Sequence, residues 1–248
     1  AGAHRLWAHR SYSAKPALRI FLALLFCIGG QTHLSKWIRD HRTHHRYTDT
    51  SADPHDSSRG FFFSHVGWLM VKRHPFVIKY GSKIDMSDLI ADPVIRFFDR
   101  FYPLFMIFMC FVLPSLIPVY GWNESWWISI LAAVTRYVIA LNVTFSVNSF
   151  AHMSGNRPYN RHIRAVENLT VSLCSLGEGW HNYHHTFPWD YKAAELGIYG
   201  LNFTASFIRL MAVLGLSYDL KAPGTELVER TVAKKGDGTD SYCGRSRH

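Results

Sequence analysis

The tightest constraint on this chain is the near absence of charge across its middle. Phe101 to Tyr120 (FYPLFMIFMCFVLPSLIPVY) holds twenty residues without a charge, and Trp126 to Phe150 (WWISILAAVTRYVIALNVTFSVNSF) holds twenty-five with one, Arg136. A helix rises about 1.5 Å per residue and the hydrocarbon layer is about 30 Å thick, so each stretch can cross it. Trp122, Trp126 and Trp127 lie at the short turn between them, where a membrane-surface aromatic belt would sit. Two helices of a soluble core are the alternative, but uncharged runs this long are rare there. Pro103, Pro114 and Pro118 suit membrane helices if neighbouring groups satisfy the carbonyls they free.

Two crossings return the chain to its starting side, so residues 1–100 and 151–248 are expected in one compartment. Of 27 Lys and Arg, all but Arg136 lie there and the turn has none, which predicts that side to be cytoplasmic. The net charge of +9 then reads first as orientation and lipid contact, and second as attraction for an anionic ligand. No basic motif of a DNA or RNA module is present, so no nucleic-acid partner is expected. With 48% hydrophobic and 18% charged residues the chain is not disordered. Cys27, Cys110, Cys174 and Cys243 are too scattered for a disulfide framework or a thiolate zinc site. The sequence opens at Ala1 without an initiator Met, and the expectation is a fragment or processed product.

The fold class expected is an all-α membrane protein, a transmembrane helical hairpin joined to a cytosolic helical domain that carries histidine clusters. Residues 1–100 form a cytosolic or interfacial region, and 101–150 the hairpin, with spans at about 101–120 and 126–150. Residues 151–220 are cytosolic again, and 221–248 read as a polar, mobile tail without periodicity. Ala17 to Gly30 is apolar but too short to span, and is expected at the interface or buried; Asn202 to Leu216 looks similar. Gly60 to Trp68 (GFFFSHVGW) suits either a headgroup-level anchor or a small aromatic core.

Fifteen histidines are the compositional outlier. Three clusters stand out: His4 and His9 in HRLWAHR, His41, His44 and His45 in HRTHH, and His181, His184 and His185 in HNYHH. At about 100° per residue, each H-x2-H-H pattern holds three imidazoles within a narrow arc of one helix, whereas His4 and His9 would straddle a site. His152, just past the second span, is a ninth candidate. His33, His65, His74, His162 and His248 are read as ordinary surface residues. Neutral imidazole suits Zn, Fe, Cu and Ni, and nine ligands suit two ions better than one. An open, nitrogen-rich site beside a membrane points to redox iron and dioxygen. Asp40, Asp49, Asp53 and Glu178 stand ready to accept the second N–H of the ligating rings, or are solvated charges. Asn148 precedes His152 by one turn and either reaches a metal, directly or through water, or bonds between helices.

HRLWAHR, WIRDHRTHH, VNSFAH and GEGWHNYHHTFPWDY resemble the histidine boxes of the membrane acyl-CoA desaturases, the stearoyl-CoA desaturase family, and its insect members most. The likeness runs from residue 1 to about 235. It implies an endoplasmic-reticulum, multi-pass, di-iron enzyme with its boxes facing the cytosol. Such an enzyme uses O2, and electrons from NADH through cytochrome b5, to place a cis double bond in a saturated fatty acyl-CoA. Position 9 is expected, with position 11 or a related fatty-acyl hydroxylase as alternatives. The resemblance assigns iron binding to His4, His9, His41, His44, His45, His152, His181, His184 and His185, with Asn148 acting through water. It assigns CoA contacts to Arg39, Asp40, Lys72 and Arg73, and a kinked acyl tunnel to Gln31, Trp37 and Thr144. Family members have four membrane helices, of which two are expected here. Thr32 replaces the family's Asn beside the CoA site, and Phe145–Ser146 a usual Trp-Leu near the kink. A metal- or haem-binding membrane module without catalysis, or an inactive relative, are the competing readings; a transport path would need more polar residues within the spans.

Overall fold

The computed structural model describes residues 1–195 and 202–239. Among the described residues the regular structure is helical apart from one two-residue antiparallel ladder and two isolated bridges at Glu167. A widened opening turn, Gly2–Ala8, leads to strand β1 (Ser13–Ala14), α1 (Pro16–Ile28) and α2 (Leu34–Tyr47). Short helices follow: α3 (Phe61–His65), α4 (Pro75–Gly81), α5 (Ser87–Ala91) and α6 (Pro93–Arg100). The hairpin begins with α7 (Tyr102–Ile107), a π-type turn at Phe108–Val112 and α8 (Leu113–Trp122), and returns as α9 (Trp126–Asn148) and α10 (Phe150–Met153). Then come α11 (Leu169–Cys174), α12 (His181–Thr186), α13 (Phe203–Val213), β2 (Ser217–Tyr218) and α14 (Thr225–Lys235).

Two continuous helical stretches, Tyr102–Trp122 and Trp126–Met153, are long and apolar enough to cross a membrane. Their surfaces are not those of core helices. Leu104 is 67% exposed and Ile139 59%, so these long apolar helices show side chains outward. That is costly in water and favourable in lipid. Asn123 closes the hairpin in the left-handed region (φ 58°), which Asn tolerates well, and Ser125 accepts a hydrogen bond from Ile128 N to start α9.

Arg136, the lone charge of the spans, is explained by proline. Pro114 has no N–H for the carbonyl four residues back, that of Cys110. Arg136 Nη2 donates to that carbonyl at 2.6 Å, and Nη1 to Ile28 O, at the end of α1, at 3.2 Å.

The core lies beside the hairpin rather than within it. Leu18, Leu22 and Ala23 of α1 pack with Leu34 and Ile38 of α2, Ile95 and Phe98 of α6 and Ile208 of α13. The opposite face of α1 exposes Ile20, Phe21 and Leu25, as expected of an apolar helix too short to span. Asp92 fixes α6 by accepting from Val94 N and from Trp7 Nε1, and it pairs with Arg19. The β1–β2 ladder (Ser13↔Tyr218, Ala14↔Ser217) ties the first residues to the last third of the chain, so both flanks of the hairpin pack together.

The expected tail from 221 is corrected in part. Residues 225–235 form α14, because Val228 and Val232, one turn apart, give it an apolar stripe. Val228 is buried against Tyr159, Tyr183 and Phe187. Positions 240–248, including Cys243 and His248, lie outside the described residues.

Candidate metal centre and adjoining cavity

The nine histidines of the three clusters converge into two groups. His4, His9, His41, His45 and His184 form one, and His44, His152, His181 and His185 the other; within each, one ring nitrogen per residue lies within 4.8 Å of all the rest. Helix geometry explains the division. His41 and His45 are four residues apart on α2 and share a face, so both enter the five-member group, while His44 turns to the other. On α12 the roles reverse: His181 and His185 enter the four-member group and His184 the five-member one. Neighbouring positions on a helix differ by about 100°, so each H-x2-H-H cluster contributes to both groups rather than one.

The expectation that His4 and His9 straddle a site needs correcting. The opening turn is widened, with Leu6 N donating to Ala1 O and His9 N to His4 O, each five residues back. That spacing returns residues i and i+5 to nearly the same side, and both imidazoles enter the five-member group.

Three carboxylates stand on the outer nitrogens. His4 Nδ1 lies 2.9 Å from Glu178, His44 Nδ1 2.8 Å from Asp53, and His152 Nδ1 3.4 Å from Asp49. A carboxylate can only accept, so it holds the proton on Nδ1 and leaves the Nε2 lone pair directed inward. Inward, the Nε2 atoms of His44 and His185 are 3.2 Å apart, and those of His152 and His181 3.0 Å. Lone pairs converging at such distances fit a cation between them. Burial, reinforced by neighbouring imidazoles, holds His41, His45, His181, His184 and His185 well below the ordinary imidazole range. Neutral rings are the form that binds metal. Burial would raise the Glu178 and Asp53 carboxyls, but Arg5 with His4, and His44 with His55, outweigh it and keep both well below the usual carboxylate range. Asp40, the fourth candidate, instead accepts a two-pronged bond from Arg73 at 2.7 and 2.5 Å.

A cavity of about 180 Å³ opens beside the five-member group, with His41 in its lining. Gln31, Trp37 and Thr144 line it, as do Asn148, Asp40 and Arg73. Trp37 Nε1 donates to Gln31 Oε1 at 2.7 Å, and its indole stacks on His41 with ring centres 5.0 Å apart. Thr144 also back-bonds to Ala140 O. Thr32 and Phe145 are on the same wall, whereas Ser146 turns its hydroxyl to Val143 O. A second cavity, of about 310 Å³, shares Trp68 and Arg73 with the first and adds Arg59, Lys72 and His74. Arg39 is exposed and lines neither.

The fatty acid desaturase family profile matches residues 1–196. The chain belongs to the fatty acid desaturase family. An acyl-CoA Delta-9 desaturase of Acheta domesticus is 52% identical over 246 residues, covering 98% of this chain and 68% of that protein. An acyl-CoA Delta(11) desaturase of Spodoptera littoralis is 51% identical, covering 98% and 72%. Human stearoyl-CoA desaturase 5 is 52% identical, covering 96% and 72%.

Several residues of this desaturase-family chain escaped sequence reasoning. His55 is buried, its ring centre 4.4 Å from that of His44 and its Nδ1 3.5 Å from Asp53. Its nearness to Asp53 in sequence was the available signal. Arg5, buried between two box histidines, donates to Glu178 and to the carbonyls of Tyr191 and Lys192. Of the histidines expected on the surface, His33, His74 and His162 are exposed, but His65 is half-buried and bonded to Ser149. His65 joins α3 to the end of the second span.

Proposed function

We propose that this protein is an acyl-CoA desaturase: it introduces a cis double bond into a saturated fatty acyl-CoA. The observation that carries the reading is the convergence of nine box imidazoles into groups of five and four beside a cavity lined by Gln31, Trp37, Thr144 and Arg73. The five-member and four-member groups would each hold one iron ion, with Asn148 near the first cavity wall acting through water. When bound, the two irons supply the oxidising power of O2, with two electrons and two protons, to convert a –CH2–CH2– unit to –CH=CH– and two waters.

The chain's own residues would orient the substrate. Lys72 and Arg73 offer charge to the phosphates of CoA, and guanidinium groups suit such oxygens well. Asp40 holds the Arg73 fork in place from the cavity side, and Arg39 adds charge at the surface. Gln31, bonded to Trp37, and Thr144 shape the wall against which the acyl chain bends. A kinked cavity, as the likeness to the desaturases implies, would limit which pair of methylenes lies next to the imidazoles and so set selectivity by proximity. The carboxylates Glu178, Asp53 and Asp49 hold the ring tautomers. Relatives act at different positions by name, Delta-9 in one cricket protein and Delta(11) in a moth protein. Position 9 is our leading assignment. Electrons come from NADH by way of cytochrome b5, and the enzyme resides in the endoplasmic reticulum membrane with its boxes on the cytosolic side.

The test is expression of the full-length protein in a yeast lacking its own desaturase. Lipids should gain species two mass units lighter than the saturated parent, and His184→Ala should abolish them. A product sixteen units heavier would assign hydroxylation instead, and retained desaturation in the His184→Ala enzyme would reject the metal assignment.

A further inference from the structure

The wall residue Gln31 lies just beyond the helix that precedes it. That helix, α1, ends at Ile28, and the chain then passes through Gly29 and Gly30 before Gln31 faces the cavity. Gly30 is in the left-handed region (φ +61°) and is wedged so tightly that a Cβ there would lie 2.8 Å from the Tyr137 ring and 2.9 Å from Cys110 Sγ. Tyr137 Oη donates to Gly30 O at 3.3 Å. Next to it, Arg136 grips two carbonyls from separate elements, Ile28 O at the end of α1 and Cys110 O in the π-type turn. Beyond the turn, Gln31 accepts from Trp37, and Trp37 stacks on His41. An unbroken series of contacts therefore runs from Arg136 through the Gly29–Gly30 turn to the five-member imidazole group.

A charge within a membrane span is costly, and such residues are typically functional. Satisfying one proline-freed carbonyl would need only a hydroxyl from a neighbouring helix. The guanidinium does something a hydroxyl cannot: its planar fork fixes two backbone elements relative to each other. One of the two, the end of α1, leads through Gly29 and Gly30 into the wall residue Gln31.

We infer that Arg136 is a positioning residue for the acyl chain. By locking the end of α1 against the broken first span, it sets the distance between the Gln31–Trp37 wall and the imidazoles, and so decides which methylenes react. The inference rests on the desaturase reading given above. Tyr137, itself a lining residue, and Gly30 belong to the same clamp.

The experiment uses the full-length protein in the desaturase-deficient yeast, with Arg136→Gln, Arg136→Lys and Gly30→Ala, and locates the double bond in every product. Shares of positional isomers and of chain lengths are ratios, so a smaller amount of enzyme does not alter them. A displacement of about 1 Å at a reacting centre can change rates by around a hundredfold. Arg136→Gln and Gly30→Ala should each raise the minor isomers or altered chain lengths on the order of tenfold, and Arg136→Lys, which keeps the charge but loses the fork, by less. Unchanged shares in all three variants, whatever the yield, would overturn the positioning role and leave Arg136 a purely structural group. Absence of any desaturated product from the unaltered protein would instead strike the desaturase reading itself.

Discussion

His44 Nδ1 lies 2.8 Å from Oδ2 of Asp53, a carboxylate that is only 3% exposed. Asp53 is itself pinned, accepting from Asp49 N at 2.9 Å and His55 N at 3.1 Å. The loop after α2 thus fixes the tautomer of a ring whose other nitrogen faces the four-member group. Asp53→Ala should leave His44 free to rotate and to take either tautomer. Losing such a partner typically costs 10–100-fold in metal affinity or activity. Iron titration of the purified full-length variant checks this; an affinity within about twofold of the unaltered protein would count against it.

The two groups are unequal, and their inequality is testable. His181→Ala leaves three imidazoles in one group, whereas His9→Ala leaves four in the other. Three nitrogens make an incomplete set unless water completes it. Purified His181→Ala enzyme should therefore lose close to one iron per chain, and His9→Ala a smaller fraction, as measured by elemental analysis. Equal losses in both variants would contradict the five-and-four division.

Local pattern made part of this site legible and long-range packing hid the rest. The H-x2-H-H spacing on α2 and α12 follows from helix periodicity, and the uncharged runs gave the hairpin, because both are properties of neighbouring residues. Which group His44 or His184 joins depends on how α2 and α12 approach each other, and no single segment encodes that. The widened turn that unites His4 and His9 is a backbone choice stabilised by Arg5, whose partner Glu178 is far away in sequence. Glu178, Asp49 and Asp53 were among four acidic candidates, and the fourth, Asp40, turned to Arg73 for reasons visible only in three dimensions. The helix at Thr225–Lys235 was missed because its apolar stripe is short and gains its stability from Tyr159 and Phe187.

Glu167 supplies a pH-dependent prediction. Its side chain is 2% exposed and accepts from Tyr183 N on the third-box helix. Burial pushes its carboxyl up from 4.5 to about 8. The folded state therefore holds a proton that the unfolded chain releases at about 4.5, so the stability contribution is complete below that pH and is lost as pH rises through about 8. Glu167→Gln keeps the acceptor oxygen and removes the titration. Its melting temperature should match that of the parent near pH 4.5 and exceed it above pH 8, by roughly 2–4 °C per kcal/mol recovered. Parallel curves across that range would show that Glu167 does not titrate in this way.

The proposed orientation makes a last, separable prediction. Cys174 is exposed, whereas Cys27 and Cys110 are buried. Cys174 lies in the region that follows the second span, and Glu124 sits in the turn between the spans. If the histidine boxes face the cytosol, a membrane-impermeant maleimide should label Cys174 in sealed microsomes, whose outer face is cytosolic. Glu124→Cys, placed in a background with Cys174→Ser and Cys243→Ser, should react only after detergent opens the vesicles. Removing Glu124 gives up one hydrogen bond to Ser125 N, at an exposed site where about 1 kcal/mol is the usual scale, so the hairpin should persist. Labelling of Glu124→Cys in intact vesicles would place the turn on the cytosolic side, and with it the boxes in the lumen. That result would deny the boxes a cytosolic electron donor, while leaving the two imidazole groups as they are.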